Sequence, residues 1–276
     1  MLQPATYNIG IFDSGYGGLT VLKEIISVCP QYNYVYLGDN ARAPYGTRSF
    51  ETVYKNTLEA VKKLFELNCS LVILACNTAS AKALRSIQQN DLPYMNPEKR
   101  VLGVIRPCTE HAHTFTKNGN LGIFATQGTV ASQSYEIEIR KFFPTISVHS
   151  QACPMWVPLV ENREADSRGA DYFVQQEIRT LFAKNKNIDA VLLGCTHYPL
   201  LMPKILQFIP PGVRVINQGE IVADQLGKYL HRHPDIEQSL IQEGRRCFYT
   251  TDSCTNFNTI GSTFMNQEIE SQKIDL

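Results

Sequence analysis

Short apolar runs alternate with longer amphipathic stretches along most of the chain. Runs rich in Val, Ile and Leu are typical of strands that are buried on both faces of a parallel sheet. We predict eight such strands, which read YNIGIF, YNYVYLG, SLVILAC, RVLGVI, NLGIFA, ISVHSQA, IDAVLLGC and VRVIN. The stretches between them predict helices over residues 19–29, 49–67, 80–89, 130–143, 171–185 and 221–231. This alternation predicts an α/β fold with right-handed crossovers.

The charge balance and the absence of long apolar segments exclude several classes of protein. The chain has 26 Lys and Arg and 26 Asp and Glu, whereas a nucleic-acid-binding protein normally carries a basic excess. Residues 1–10 lack the basic and apolar regions of a signal peptide, and no apolar run approaches the roughly 20 residues that span a bilayer. We therefore expect a cytoplasmic protein that binds neither nucleic acid nor membrane. We also expect the polar tail after residue 261 to fray.

The chain contains a weak internal repeat. IGIFDSG at residues 9–15 resembles LGIFATQ at residues 121–127, and LVILACNT at residues 71–78 resembles AVLLGCTH at residues 190–197. Chance similarity between apolar strands is an alternative, but two matches in the same order favour a duplication. We therefore predict two similar lobes, each a mostly parallel sheet flanked by helices, with the active site in the cleft between them. The first lobe would comprise residues 1–105 and 213–276, and the second residues 106–212.

Two of the eight cysteines occupy equivalent places in this repeat. No two cysteines form a CxxC motif, so neither a zinc knuckle nor a redox dithiol is indicated. Cys76 and Cys195 each end a predicted strand and precede hydroxyl or amide residues. Parallel sheets bind ligands beyond the carboxyl ends of their strands, and the starts of the following helices favour anions. A thiol in such a place ionises more readily. For either cysteine alone, a small apolar packing residue is the alternative, and we assign that role to the other six.

A matched pair of thiols suggests a specific reaction. If the two lobes face each other, Cys76 and Cys195 approach a ligand from opposite sides. Removing a proton from one face of a carbon and returning a proton to the other face inverts the stereocentre. Such a reaction needs one acid–base group on each face.

Several strings carry a resemblance to a known family. They are DSGYGGLTVL at residues 13–22, DNARAPYGTRS at 39–49, ACNTAS at 75–80 and GCTHYPLL at 194–201, with weaker matches in IFATQGTVASQSY at 123–135 and ACPMWVPLVE at 152–161. They resemble the cofactor-independent aspartate/glutamate racemase family. The resemblance implies an isomerase that interconverts L- and D-glutamate by a two-thiol mechanism and supplies D-glutamate for peptidoglycan. It also implies a small-molecule substrate, no cofactor, no metal, and the homodimer that family members often form.

The resemblance also assigns roles to individual residues. Cys76 and Cys195 resemble the proton-transferring thiols, with Cys195 acting on L-glutamate and Cys76 on D-glutamate. Asp13 stands where a carboxylate assists Cys76, and His197, with Glu161 as its partner, stands where a group assists Cys195. The positions that contact the substrate would be Asp13, Ser14, Tyr45, Gly46, Asn77, Thr78, Thr196 and His197.

The residues themselves leave other interpretations open. Asp13 and Ser14 also fit an ordinary helix N-cap, and His197 also fits a buried structural histidine. Two positions depart from the family pattern, because Cys108 stands where glycine is commoner and Asn217 where aspartate is commoner. The repeat aligns Asp13 with Ala125 and His197 with Thr78, so the two thiols would have unlike auxiliary groups.

Three other functions remain open on the sequence. A related racemase could act on aspartate or hydantoins. A Cys–His hydrolase could use Cys195 and His197 and would not need Cys76. A two-lobed protein could bind glutamate without any chemistry.

Overall fold

The apolar runs form two separate parallel sheets in the computed structural model, which describes residues 6–276. The strands are β1 (Asn8–Asp13), β2 (Tyr34–Gly38), β3 (Cys69–Leu74), β4 (Arg100–Gly103), β5 (Asn120–Ala125), β6 (Ser147–Ala152), β7 (Ala190–Gly194), β8 (Arg214–Asn217), β9 (Arg246–Thr250) and β10 (Ser271–Lys273).

Helices connect the strands and cover the sheets. They are α1 (Gly18–Val28), α2 (Phe50–Glu66), α3 (Asn77–Lys82), α4 (Leu84–Ser86), α5 (Leu92–Met95), α6 (Ile105–Thr109), α7 (Gln127–Ser132), α8 (Ser134–Phe142), α9 (Trp156–Glu161), α10 (Arg168–Lys184), α11 (Met202–Phe208), α12 (Gln218–Arg232), α13 (Pro234–Ser239) and α14 (Cys254–Met265). Within residues 6–276, none of them has the length and apolarity needed to cross a membrane.

The two sheets have the same strand order at their centres. The larger sheet runs β10-β9-β2-β1-β3-β4 and the smaller one runs β6-β5-β7-β8, with every neighbouring pair parallel. Strands β2-β1-β3-β4 therefore correspond to β6-β5-β7-β8. The correspondence matches β1 with β5 and β3 with β7, as the sequence repeat predicts. The predicted α/β fold of two similar lobes is confirmed.

One predicted lobe boundary is wrong by a single strand. We placed the return to the first lobe after residue 212, but β8 pairs with β7 and so completes the second sheet. Backbone pairing of residues 214–217 with β7 keeps this strand in the second lobe. The chain returns only with α12, which packs on α1 of the first lobe.

The C-terminal region is ordered rather than frayed. Strand β9 extends the first sheet beside β2, and β10 pairs with β9 beyond it. Helix α14 lies between these strands and buries Phe257, Phe264 and Met265. The predicted fraying after residue 261 is therefore wrong, because these apolar side chains anchor the last helix against α1.

Candidate active site

A cavity of about 150 Å³ lies between the two lobes. Cys76, which follows β3, and Cys195, which follows β7, both lie on its wall. Typical pockets for drug-sized ligands are about 300–1,000 Å³, so this cavity suits a smaller molecule. The other lining residues are Ser14, Ala43, Pro44, Tyr45, Gly46, Thr47, Asn77, Thr78, Thr126, Gln127, Cys153, Pro154, Val157, Pro158, Glu161, Thr196 and His197.

Cys76 is held at the first turn of α3. It is the N-cap of that helix, and its Sγ accepts a hydrogen bond from the backbone N–H of Ala79 at 3.5 Å. The thiol donates to Oγ of Ser14, also at 3.5 Å. Burial and, to a lesser extent, the nearby carboxylate of Asp13 raise the pKa of Cys76 to about 12. A pKa raised in this way favours the thiol form of Cys76 at neutral pH.

Cys195 has a different neighbour. Its Sγ lies 4.0 Å from Nδ1 of His197, and Nε2 of His197 lies 2.9 Å from Oε1 of Glu161. Burial alone lowers the pKa of His197, but the hydrogen bonds and charges of Cys195 and Glu161 outweigh it and raise that pKa to about 10. His197 thus places a positive charge beside the Cys195 sulfur.

Aromatic packing holds the His197–Glu161 pair in place. Phe124 and Tyr198 pack against Trp156 with ring centroids 4.9 and 4.8 Å from it, and all three rings are buried. Trp156 begins α9, which ends at Glu161, and Tyr198 directly follows His197. The ring of His197 also packs nearly perpendicular to the ring of Phe264 on α14, with ring centroids 5.6 Å apart. The C-terminal helix therefore supports the histidine.

Asp13 lies behind the cavity rather than on its wall. It is 1 % exposed, and its carboxylate accepts hydrogen bonds from the N–H of Gly15 at 2.9 Å and from Oγ1 of Thr196 at 3.4 Å. Burial raises the pKa of Asp13, and the charge of His197 opposes this shift. Asp13 is not among the residues that line the cavity, whereas its neighbour Ser14 is.

The turn that carries Cys195 is fitted closely against the first lobe. Oγ1 of Thr20 donates to the carbonyl of Thr196 at 2.9 Å. A Cβ atom added to Gly17 would lie 2.2 Å from Oγ1 of Thr196 and 2.4 Å from Nδ1 of His197. Only glycine allows this approach of the lobes at residue 17.

Tyr45, Gly46 and Thr78, which we also predict to contact substrate, line the cavity, but some of their polar groups are already hydrogen-bonded within the protein. The hydroxyl of Tyr45 donates away from the cavity, to Oδ2 of Asp39 at 2.5 Å. The carbonyl of Gly46 accepts from the N–H of Gly128 across the seam between the lobes, at 2.8 Å. Oγ1 of Thr78 lies 2.9 Å from Oγ1 of Thr126 in the other lobe. Gly46 and Thr78 therefore join the lobes as well as bordering the cavity.

Asn77 lines the cavity, but its side-chain amide is already fully hydrogen-bonded within the protein. Both N–H bonds of its side chain are directed at buried acceptors, the phenol oxygen of Tyr135 and Oε1 of Gln218, each at 2.8 Å. Oδ1 of Asn77 accepts from Nε2 of Gln218 at 2.7 Å. The side-chain amide has therefore no donor left for a ligand.

Sequence reasoning missed two lining residues of note. Thr126 is the counterpart of Ser14 in the repeat, so the repeat itself could have identified it. Cys153, which we predicted to be a packing residue, is buried but borders the cavity. No lysine or arginine lines the cavity within residues 6–276. In the same part of the chain, no three His, Cys, Asp or Glu side chains cluster as a metal site would require.

The two departures from the family pattern leave the local structure intact. Asn217 is the N-cap of α12, and its side chain accepts a hydrogen bond from the N–H of Gly219 at 3.2 Å. Asparagine and aspartate serve equally well as N-caps. Cys108 is fully buried in α6 and packs in the core.

The fold and the site together define a two-lobed α/β protein in which each lobe places one thiol on a shared cavity. A sequence profile described as Asp/Glu/Hydantoin racemase matches residues 9–226. The chain belongs to this family, which makes it an amino-acid racemase and thus an isomerase.

Individual relatives agree with this assignment. The chain is 37 % identical to a glutamate racemase of Geobacter metallireducens over 262 residues, covering 95 % of this chain and 93 % of the relative. It is 39 % identical to a glutamate racemase of Listeria monocytogenes over 259 residues, covering 94 % of each.

Solved structures are similar over nearly the whole chain. A glutamate racemase isoform of Bacillus anthracis superimposes with a TM-score of 0.89 at 34 % identity, covering 99 % of this chain and 98 % of that one. A Francisella tularensis glutamate racemase in complex with D-glutamate superimposes with a TM-score of 0.87 at 29 % identity, covering 98 % of each chain.

Proposed function

We propose that this protein interconverts L- and D-glutamate by direct proton transfer at the α-carbon, without a cofactor, and supplies D-glutamate for peptidoglycan. The observation that carries the proposal is that Cys76 and Cys195 follow equivalent strands of two similar sheets and border one cavity. The relatives named glutamate racemase, one of them solved with D-glutamate, support the choice of substrate.

The proton transfers follow from the unlike surroundings of the two thiols. With L-glutamate bound, the thiolate of Cys195 takes the α-proton, and the electron pair of the broken C–H bond stays on the α-carbon. The thiol of Cys76 then gives its proton to the opposite face and becomes a thiolate. The raised pKa of Cys76 and the protonated His197 beside Cys195 suit this starting state. The reverse sequence converts D-glutamate.

Neutral donors would hold the two substrate carboxylates. Because lysine and arginine are absent from the cavity lining within residues 6–276, the donors at hand include backbone amides, the side-chain amide of Gln127 and the hydroxyls of Ser14, Thr47, Thr78 and Thr126. Fixed donors of this kind also stabilise negative charge that develops in a transition state. Asp13 would act on the thiols from behind the wall rather than as a substrate ligand.

The direct test is to incubate purified protein with L-glutamate in D₂O without added cofactor. We expect the circular dichroism of glutamate to decay to zero and the D-glutamate formed to carry deuterium at the α-carbon. Cys76→Ala and Cys195→Ala should each lower the rate about 10²- to 10⁴-fold, the usual contribution of one general acid or base. Cys247→Ser, at an exposed thiol outside the cavity, is the matched control and should keep the wild-type rate. An inactive wild type, or an active Cys76→Ala variant, would reject the proposal.

The same protein distinguishes the alternatives. Faster racemisation of aspartate than of glutamate would reassign the substrate within the family. The Cys195–His197–Glu161 arrangement also resembles a hydrolase triad, and hydrolysis that persists in Cys76→Ser would favour that function.

Two further properties belong to this proposal. A mechanism that requires two free thiols fits a reducing cytoplasm, where thiols stay reduced. We also propose the homodimer that the family resemblance implies, and sedimentation of the purified protein would reveal its mass in solution.

A further inference from the structure

Gln218 closes a buried ring of hydrogen bonds beside Cys76. It is 1 % exposed, and its side-chain amide exchanges two hydrogen bonds with the amide of Asn77 at 2.8 and 2.7 Å. The phenol of Tyr135 accepts from Asn77 at 2.8 Å and donates to Gln218 at 3.2 Å. All three side chains are buried, so their hydrogen bonds are made within the protein.

The ring joins the two lobes where the chain passes from one to the other. Asn77 begins α3 in the first lobe and directly follows Cys76. Tyr135 lies on α8 of the second lobe, and Gln218 follows the last strand of the second sheet. The position of α3 relative to the second lobe is therefore tied to the side chain of Gln218.

This ring of hydrogen bonds affects the position of the Cys76 thiol more than that of the Cys195 thiol. Sγ of Cys76 caps α3, so a displacement of the helix start displaces the sulfur. The turn of Cys195 is held by separate contacts, from Thr20 to the Thr196 carbonyl and from His197 to Glu161. A displacement of about 1 Å at a reacting group can cost about 10²-fold in rate.

We infer that Gln218 is a positioning residue that sets the place of Cys76 against the substrate through Asn77. The inference rests on the proposed two-thiol racemisation. It concerns the amide N–H of Gln218 in particular, because only this donor satisfies Oδ1 of Asn77 in the ring.

The sharpest variant is Gln218→Glu, which keeps the shape and removes the donor. An ionised carboxylate would face Oδ1 of Asn77, whereas a protonated carboxyl has an O–H that can donate to it. We expect kcat/KM to fall about ten-fold above the pKa of the new carboxyl, because the buried Oδ1 of Asn77 then lacks a donor, and to recover as the pH falls. The titratable groups near the ring include Cys76 next to Asn77, Glu24 beside Gly219, Glu136 and the thiols of Cys108 and Cys195, and every variant retains them.

Primary isotope effects separate positioning from a general loss of folding. Cys76 cleaves the α-C–H bond of D-glutamate and Cys195 that of L-glutamate. In Gln218→Glu at high pH, the deuterium isotope effect on kcat/KM should rise for α-deuterated D-glutamate and fall for α-deuterated L-glutamate. An isotope effect does not depend on how much of the enzyme is folded.

Two further variants complete the experiment. Gln225→Glu makes the same chemical change two turns along α12, where the amide contacts His111, and should keep wild-type rates and isotope effects. Gln218→Met removes the donor without adding charge and should shift the isotope effects at every pH, which keeps the test open if Gln218→Glu does not fold. Wild-type isotope effects in both Gln218 variants would overturn the inference, whereas an inactive wild type would instead reject the proposed function.

Discussion

Gly17→Ala offers a decisive test of the close fit between the lobes. The backbone of Gly17 has φ −57° and ψ −38°, which alanine adopts freely. At such a position, Gly→Ala ordinarily stabilises a protein by about 0.4–1 kcal/mol. Here the new methyl group would lie 2.2 Å from Oγ1 of Thr196 and 2.4 Å from Nδ1 of His197, where ordinary contacts begin at 3.4 Å.

The turn of Cys195 must therefore retreat by roughly 1 Å, and a displacement of this size costs about 10²-fold in rate. We expect the kcat for glutamate racemisation to fall by about that factor. Urea unfolding should show a loss of about 1–3 kcal/mol, the usual cost of overpacking.

Gly227→Ala on α12 is the matched control. Its added methyl group would meet Cys29 and Val28 at 3.6 and 3.8 Å, which are ordinary contact distances. This variant should keep the wild-type kcat and gain up to about 1 kcal/mol in stability. A Gly17→Ala enzyme with wild-type kcat would refute the claim that this contact sets the position of the Cys195 turn.

Two further predictions concern the support of His197. Because Cys195 and Glu161 raise the pKa of His197 from 6.5 to about 10, their interactions with the imidazolium stabilise the fold fully below about pH 6.5, and this stabilisation is lost as the pH rises through about 10. Urea unfolding of Glu161→Gln should thus differ from wild type most near pH 6 and converge with it above pH 10; a difference that grows with pH would contradict the assignment. Phe264→Ala should cost about 3 kcal/mol of stability, as for other buried phenylalanines, and should lower kcat through the loosened imidazole. An unchanged kcat at a saturating substrate concentration would show that α14 does not support the histidine.

The sequence predicted the parts of the molecule that depend on local pattern and on the repeat. All eight predicted apolar runs form strands. The paired motifs around Cys76 and Cys195 occupy corresponding places in two sheets that share the same central strand order. Each cysteine lies at the carboxyl end of its strand, where parallel sheets bind ligands, and both border one cavity because these ends of the two sheets face it from opposite lobes.

Contacts that depend on how the two lobes dock could not be predicted from the sequence. Gly17 meets Thr196, and Gln218 meets Asn77, across more than 100 residues of chain. Neither residue carries a local signal of such a partner, since glycine at a helix start and an amide after a strand have many ordinary explanations.

The C-terminal strands were missed for a different reason. Strand β9 reads RCFYT and is only partly buried, and β10 has three polar or charged residues. Their strand conformation depends on pairing with β2 and with each other, which brings residues 246–250 beside residues 34–38. An amphipathic pattern this short does not distinguish a strand from a loop.

The unlike groups behind the two thiols have a consequence for the kinetics of the proposed reaction. Asp13 ends β1 where Ala125 ends β5, and His197 follows Cys195 where Thr78 follows Cys76. L- and D-glutamate have equal free energies in water, so their equilibrium constant is one and kcat/KM must be equal in the two directions. A carboxylate on one side and an imidazole on the other can therefore change kcat only together with KM. However asymmetric its cavity, the enzyme delivers a one-to-one mixture, and only the removal of D-glutamate by a later reaction gives the flux a direction.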